Sequence, residues 1–152
     1  MRIVIQRVKH ASVTIDNAIY NKIEQGLLLL VGFEKNDTED ILPKICDKVA
    51  GIRIFEDENG KMNLSAKDLN LEILSISQFT LYADMKKGKR PSFDSAMEAN
   101  KAKELYAKFN EMLSTYLPVK TGIFQADMKI ELLNDGPVTI ILDSNDLIRR
   151  EK

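Results

Sequence analysis

One histidine and one cysteine, His10 and Cys46, stand in a chain of 152 residues, and each scarcity closes off a class of chemistry. A lone cysteine excludes an internal disulfide and suits a reducing compartment. A lone histidine leaves nothing from which to build a zinc site of several His and Cys ligands. A Ser-His-Asp triad would have to recruit His10, which lies in an amino-terminal β-like segment far from the polar motifs further along the chain. If this is a hydrolase, it works without histidine as its base. No apolar run approaches the roughly 20 residues that cross a bilayer. The first residues alternate apolar and polar, without the continuous apolar stretch of a signal peptide, so the cytoplasm is the expected compartment. Neither sign of charge is in excess, since 22 basic against 23 acidic residues give −1. The overall basic footprint usual in nucleic-acid-binding proteins is therefore missing.

What remains is ample for folding. A hydrophobic content of 44% in a chain of this length fits one globular domain with its own core. Arg2 to Val8 and Ala11 to Ile15 alternate with period two, and Tyr20 to Glu24 is a third short strand. Gly26 to Val31 is continuously apolar and reads as a strand buried on both faces. Asn36-Asp37-Thr38 offers helix-capping chemistry before Ile41, Ile45, Val49 and Ile52 at helical spacing, with Pro43 acceptable only in the first turn. Arg53 to Glu56 predicts a strand, and Asp57-Glu58-Asn59-Gly60 a tight reversal. Leu71 to Leu81 alternates as a further strand. Ser95-Ala96-Met97-Glu98 has the pattern of a capping box. Ala102, Leu105, Tyr106, Phe109, Met112, Leu113 and Tyr116 then trace one apolar stripe for core packing, ended by Pro118. Met128 to Leu133 and Val138 to Leu142 are the last strands. The reading is a single α+β domain in which a largely antiparallel or open barrel-like β structure packs with two main helices. It covers residues 1–142 and leaves residues 143–152 as a polar, frayed tail.

Two motifs carry the chemistry. Ser77-Gln78-Phe79-Thr80-Leu81 sits at the end of an apolar, β-branched run, where a strand offers polar side chains and free N–H groups to a cleft. Backbone N–H groups so placed can stabilise the oxyanion of an ester hydrolysis. Taken alone, the segment reads first as an ordinary strand with polar residues outward. Asn134-Asp135-Gly136-Pro137-Val138-Thr139 puts the residue most tolerant of unusual φ before the one that readily accepts a cis bond. Without further context, Gly136-Pro137 is a turn. Lys86, Lys87, Lys89 and Arg90 form a basic run close behind the first motif. On charge alone it is a solvated loop; its position points to phosphate contact.

Together the two motifs resemble the signature motifs of the D-aminoacyl-tRNA deacylases. Ile5-Gln6-Arg7-Val8, Ala11-Ser12-Val13-Thr14, Arg53-Ile54-Phe55, Gly60-Lys61-Met62-Asn63 and Arg90-Pro91-Ser92-Phe93 are similar to that family too, in the same order, from Met1 to about Leu142. The resemblance implies a homodimer with its active site at the subunit interface, needing no metal and no cofactor, acting on the 3′ end of aminoacyl-tRNA. It places Ser77, Gln78, Phe79 and Thr80 in the catalytic segment, with the N–H groups of Phe79 and Thr80 near the ester carbonyl. Thr80 is then a nucleophile, or the substrate's own ribose hydroxyl assists attack; the resemblance favours the second. It also implies a cis Gly136-Pro137 bond entering the partner's site, where its carbonyl groups hold the substrate's amino group and exclude an L side chain. Glycine has no side chain to exclude, so a glycyl ester enters as well. Arg7 holds this motif in place, Asn134 and Thr139 support its turn, and Phe124 and Met128, within Gly122 to Met128, shape the pocket for the terminal adenine. Met85 and Tyr82, just past the first motif, depart from the family's usual residues, as does the longer tail. Three rival readings stand beside this one. They are a related deacylase with a trans bond that admits L substrates, a non-catalytic module that binds the tRNA 3′ end, and a plain dimerisation domain.

Overall fold

The computed structural model describes residues 1–149. The first strand, β1 (Arg2–Ile15), is one long ribbon and not two. β2 (Ala18–Ile23) folds back on it, and Asp16 and Asn17 make the reversal at positive φ. β3 (Gly26–Gly32) pairs antiparallel with the first half of β1. Then come α1 (Leu42–Gly51), β4 (Phe55–Glu56), β5 (Met62–Leu64) and β6 (Glu72–Ser77), followed by α2 (Ala99–Leu113), β7 (Val119–Thr121), β8 (Lys129–Asp143) and α3 (Ser144–Arg149). The main sheet runs β2-β1-β3-β6-β7, and β8 pairs antiparallel with β1 along most of its length. The two crossovers through α1 and α2 make β3–β6 and β6–β7 parallel. The sheet is therefore mixed, nearly closed and barrel-like, in a single α+β domain with two main helices.

The central strands of this curved sheet carry buried residues on both faces. Ile3, Ile5, Leu27, Leu29 and Ile73 pack against Ile45, Val49, Leu105, Phe109 and Leu113 of the helices. Inside the curl, Val8, Ala11, Val13, Ile23, Leu28, Leu74 and Ile76 form a second cluster. The continuously apolar β3 supplies both, as a strand buried on both sides must. At Gly26 a Cβ would lie 1.9 Å from the Glu72 carbonyl oxygen, so only glycine allows β6 so close.

Several local expectations change. The carboxylate of Asp37 caps no helix; it accepts the Glu34 N–H at 2.7 Å and meets the buried Met1 ammonium. A 3-10 turn (Glu39–Ile41) instead leads into α1, which places Pro43 in the first turn, where a missing N–H costs nothing. At the start of α2 the cap is Glu98, whose carboxylate accepts the N–H groups of Asn100 and Lys101. Ser95 donates its hydroxyl to the Tyr82 carbonyl, so it is not the cap. The carboxyl end is not frayed over its first part, because α3 forms there and the Ser144 hydroxyl accepts the Met1 ammonium at 2.8 Å. Residues 150–152 of the expected tail lie outside the described residues. No helix among the described residues is long and apolar enough to cross a membrane.

Candidate active site

The strand leading into the first motif stops at Ser77, and Phe79–Tyr82 winds into a 3-10 turn. The expected strand to Leu81 is thus four residues too long. The last ladder contact is the Gln78 N–H to the Val31 carbonyl at 2.7 Å, and the turn's first bond is Leu81 N–H to the Gln78 carbonyl at 3.2 Å. The N–H groups of Phe79 and Thr80 fall between these two bonds, without an acceptor in the strand or the turn. Gln78 closes the same turn from its side chain, with Nε2 donating to the Thr80 hydroxyl oxygen at 2.5 Å.

β3 and β6 are parallel, and their carboxyl ends open into a cavity of about 570 Å³. A cleft outside the carboxyl ends of parallel strands is where ligands commonly bind in such sheets. Ser77, Gln78 and Phe79 form one wall, and Phe124, Gln125, Ala126, Asp127 and Met128 form another. Gln125 adopts φ 68, which turns this segment across the opening. A Cβ at Gly122 would stand 2.4 Å from the Met128 sulfur, so glycine there lets Met128 fold against the wall.

The spacing of Tyr106 predicts core packing, yet the residue lines the cavity as well. Its hydroxyl donates to the Ser75 carbonyl at 2.7 Å, and its ring meets Phe124 edge-on at 6.0 Å. Burial pushes this phenol's pKa up, which keeps it a donor. The signal available in the sequence was a tyrosine inside an apolar stripe, since a buried phenol must find a partner.

The second motif lies elsewhere on the chain. β1 and β8 pair in register up to Gln6 opposite Thr139 and resume at Val8 opposite Asn134, so Asp135 to Val138 bulge out opposite Arg7. The Gly136–Pro137 bond is cis and Gly136 has φ 137. Arg7 is buried, with Nε donating to the Asp135 carbonyl at 2.9 Å and Nη1 to the Ile54 carbonyl at 2.6 Å. Asn134 closes the bulge by accepting the Val138 N–H at 2.7 Å and donating to the Val138 carbonyl at 3.2 Å. Its Nδ2 also reaches the Thr139 hydroxyl at 3.1 Å. The Ile54 carbonyl is the part of this support that the sequence did not announce.

The structure therefore brings Ser77, Gln78, Phe79, Phe124 and Met128 to one cavity, with Thr80 in the adjoining turn. Gly136, Pro137 and Arg7 do not line it. Lys86, Lys87, Lys89 and Arg90 are exposed in a loop closed by paired backbone bonds between Asp84 and Ser92. Tyr82 is turned inward under the Arg2 guanidinium, 4.8 Å from its ring, whereas Met85 is exposed. His10 is exposed on β1 opposite Leu133, at neither motif. Among the described residues no three His, Cys, Asp or Glu side chains cluster to hold a metal ion.

Unpaired N–H donors beside a cavity with an aromatic and thioether wall can stabilise an oxyanion next to an apolar, polarizable surface. The family model described as D-Tyr-tRNA(Tyr) deacylase matches residues 4–143, and the chain belongs to that family of hydrolases acting on the aminoacyl-tRNA ester bond. Among solved structures, one titled "c-Myc DNA Unwinding Element Binding Protein" is similar at 41% identity and a TM-score of 0.89, covering 94% of this chain and 98% of the other. A second, titled "Structural Analysis of a probable eukaryotic D-amino acid tRNA deacylase", shares the fold at 16% identity and a TM-score of 0.83, over 93% of this chain and 98% of that one.

Proposed function

We propose that this protein hydrolyses the ester between a D-amino acid, or glycine, and the 3′-terminal adenosine of tRNA, and that it spares L-aminoacyl-tRNA. The observation that carries the reading is the 3-10 turn that leaves two N–H groups without acceptors at the cavity edge. A nucleophile adds to the ester carbonyl, the two N–H groups take the oxyanion, and collapse expels the ribose oxygen, which is reprotonated. The terminal adenine lies against Phe124 and Met128. No protein histidine assists, so the neighbouring ribose hydroxyl, or a water that it positions, takes that part. The reading assigns no metal and no cofactor.

Chirality is enforced by Gly136 and Pro137 of a second copy. Two observations support a homodimer with a shared site. Within one chain the motif does not reach the cavity that holds the first. The strand bearing it, β8, also leaves Leu133, Ile140 and Ile141 exposed, the last at 67%, which is costly for a free surface. Residues 1–142 are the deacylase unit in this reading, residues 143–152 are a polar carboxyl-terminal tail, and the cytoplasm, where aminoacyl-tRNA is used, is the working compartment.

The test is release of amino acid from D-tyrosyl-, L-tyrosyl- and glycyl-tRNA by purified protein with and without a chelator. Release from the D and glycyl esters alone, undiminished by chelation, is the expected result. Binding of tRNA without any release would replace the reading with a non-catalytic 3′-end module. Cleavage of the L ester would remove the exclusion mechanism.

A further inference from the structure

Phe79 is 60% exposed and Phe93 is 37% exposed, an unusual placement for two large apolar rings in a chain with a well-filled core. They meet edge-to-face with centroids 5.0 Å apart and planes inclined by 64°. The pair is held from two directions. Phe79 opens the 3-10 turn at the cavity wall, while Phe93 follows directly on the Asp84–Ser92 closure, whose two backbone bonds measure 2.7 and 2.9 Å. The loop closed by that pair carries Lys86, Lys87, Lys89 and Arg90, and none of the four forms an ion pair with a described residue. An aromatic pair open to solvent, beside cations that have no ion-pair partner among the described residues, is the composition of a single-strand nucleic-acid platform.

We infer that Phe79 and Phe93 form a stacking platform for the base of the penultimate nucleotide of the tRNA 3′ strand, with the 86–90 loop on the adjoining phosphates. This rests on the proposed deacylase reading, in which the terminal adenosine occupies the cavity. Phe79 is the residue common to cavity and platform, so a strand whose last nucleoside is in the cavity leaves across these rings. Charge selects the occupant, because an apolar protein partner would gain nothing from four unpaired cations at the rim. Stacking on a ring is tolerant of base identity, so the platform orients any tRNA of the same 3′ sequence without choosing among them.

The experiment compares two esters, D-tyrosyl-tRNA and D-tyrosyl-adenosine, the second lacking the penultimate nucleotide. Phe93→Ala is expected to raise KM for the tRNA ester about tenfold more than for the nucleoside ester, in the range measured for loss of one base stack. Phe93→Tyr should restore the difference, since it keeps the ring. Equal losses on both substrates would show that Phe93 only props the catalytic turn and would overturn the inference, as would an unchanged KM for the tRNA ester. A readout independent of turnover uses tRNA with 2-aminopurine at the penultimate position. Its fluorescence is expected to be quenched on binding wild type and not on binding Phe93→Ala at saturating protein. Equal quenching by both would overturn the platform. Quenching without hydrolysis by wild type would leave the platform standing and remove the deacylase reading.

Discussion

The side chain of Asn134 stands in for a missing strand: it accepts the Val138 N–H at 2.7 Å and donates to the Val138 carbonyl at 3.2 Å. The four residues from Asp135 to Val138 leave the β1–β8 ladder. Their backbone would otherwise lose its partners, and an amide side chain, carrying donor and acceptor groups together, supplies both at once. Asn134→Asp keeps the acceptor but sets a carboxylate oxygen against the Val138 carbonyl. It is expected to cost about 1–3 kcal/mol in urea denaturation and to relax the preference for D over L esters. Full retention of both would mean that the bulge is held without this pair.

Arg7 does the corresponding work from the opposite strand. Its guanidinium joins the Asp135 and Ile54 carbonyls, tying the bulge to the segment before β4. Arg7→Lys keeps the charge but loses the planar fork that reaches two carbonyls. Expected is a loss of D/L selectivity of at least tenfold with tRNA affinity retained, read from parallel single-turnover assays. Unaltered selectivity would confine Arg7 to stability.

At Gly136 a Cβ would stand 2.7 Å from Val138 Cγ2 and 3.2 Å from Arg7 Nη2, on a backbone of φ 137 that L side chains rarely adopt. Gly136→Ala therefore displaces the bulge, and backbone strain of this kind costs about 1–3 kcal/mol. Activity on D esters should fall far more than stability does. A variant with wild-type rates would show that this carbonyl does not meet substrate.

The elements legible in the sequence were those whose reason is local. Period-two alternation predicted β1 and β6, the apolar run predicted β3, and the stripe from Ala102 to Leu113 predicted the buried face of α2. The misses share one cause, which is that distant partners decided them. Asp37 leaves its capping role because the Met1 ammonium lies beside it, and Ser95 yields to Glu98 because the Tyr82 carbonyl takes its hydroxyl. β7 is three residues long and exists only as an added parallel strand beside β6, so no periodicity could mark it. Phe79 to Leu81 continue the alternation that predicts a strand, yet the turn wins because the ladder to β3 ends at Gln78. The two motifs were visible as residues; that they occupy different parts of one chain was not.

Thr80 offers a hydroxyl within the proposed catalytic segment, but its oxygen already accepts from Gln78 Nε2 and no base among the described residues is hydrogen-bonded to it. Thr80→Ala keeps the backbone N–H and removes only this contact. The expected effect on single-turnover rate is less than about tenfold, against the 10³-fold or greater loss that follows removal of a true nucleophile. A collapse in rate with tRNA binding intact would make Thr80 the attacking group.

Cys46 is fully buried on α1, its sulfur 3.7 Å from the Phe109 carbonyl, and burial pushes the thiol up to about 12 from its ordinary 9.0. The folded state thus favours the protonated thiol. Its contribution to stability is complete below pH 9, declines as the unfolded chain ionises, and is exhausted as pH passes the folded value near 12. Native protein at pH 8 should resist a thiol-selective reagent and react within minutes after unfolding. Rapid labelling of folded protein would show that α1 opens far more readily than its packing implies.

Salt dependence separates a phosphate-binding loop from a solvated one. Each phosphate contact on a single strand releases counterions and steepens the fall of log K with log salt by about 0.7. Arg90 and its neighbours lie in a loop whose base is pinned by the Asp84–Ser92 backbone pair, so replacing an exposed tip residue leaves the loop's frame in place. Arg90→Ala should therefore weaken tRNA binding most at low salt and flatten the slope by about that amount. A double replacement of Lys87 and Arg90 by alanine should flatten it by about twice as much if both side chains meet phosphate. Weaker binding with an unchanged slope would mean that the substitution disturbed the Phe93 end of the loop and not its charge. An unchanged affinity at every salt concentration would return residues 86–90 to the role of a solvated surface, and the nucleic acid would then have to enter the cavity from another side.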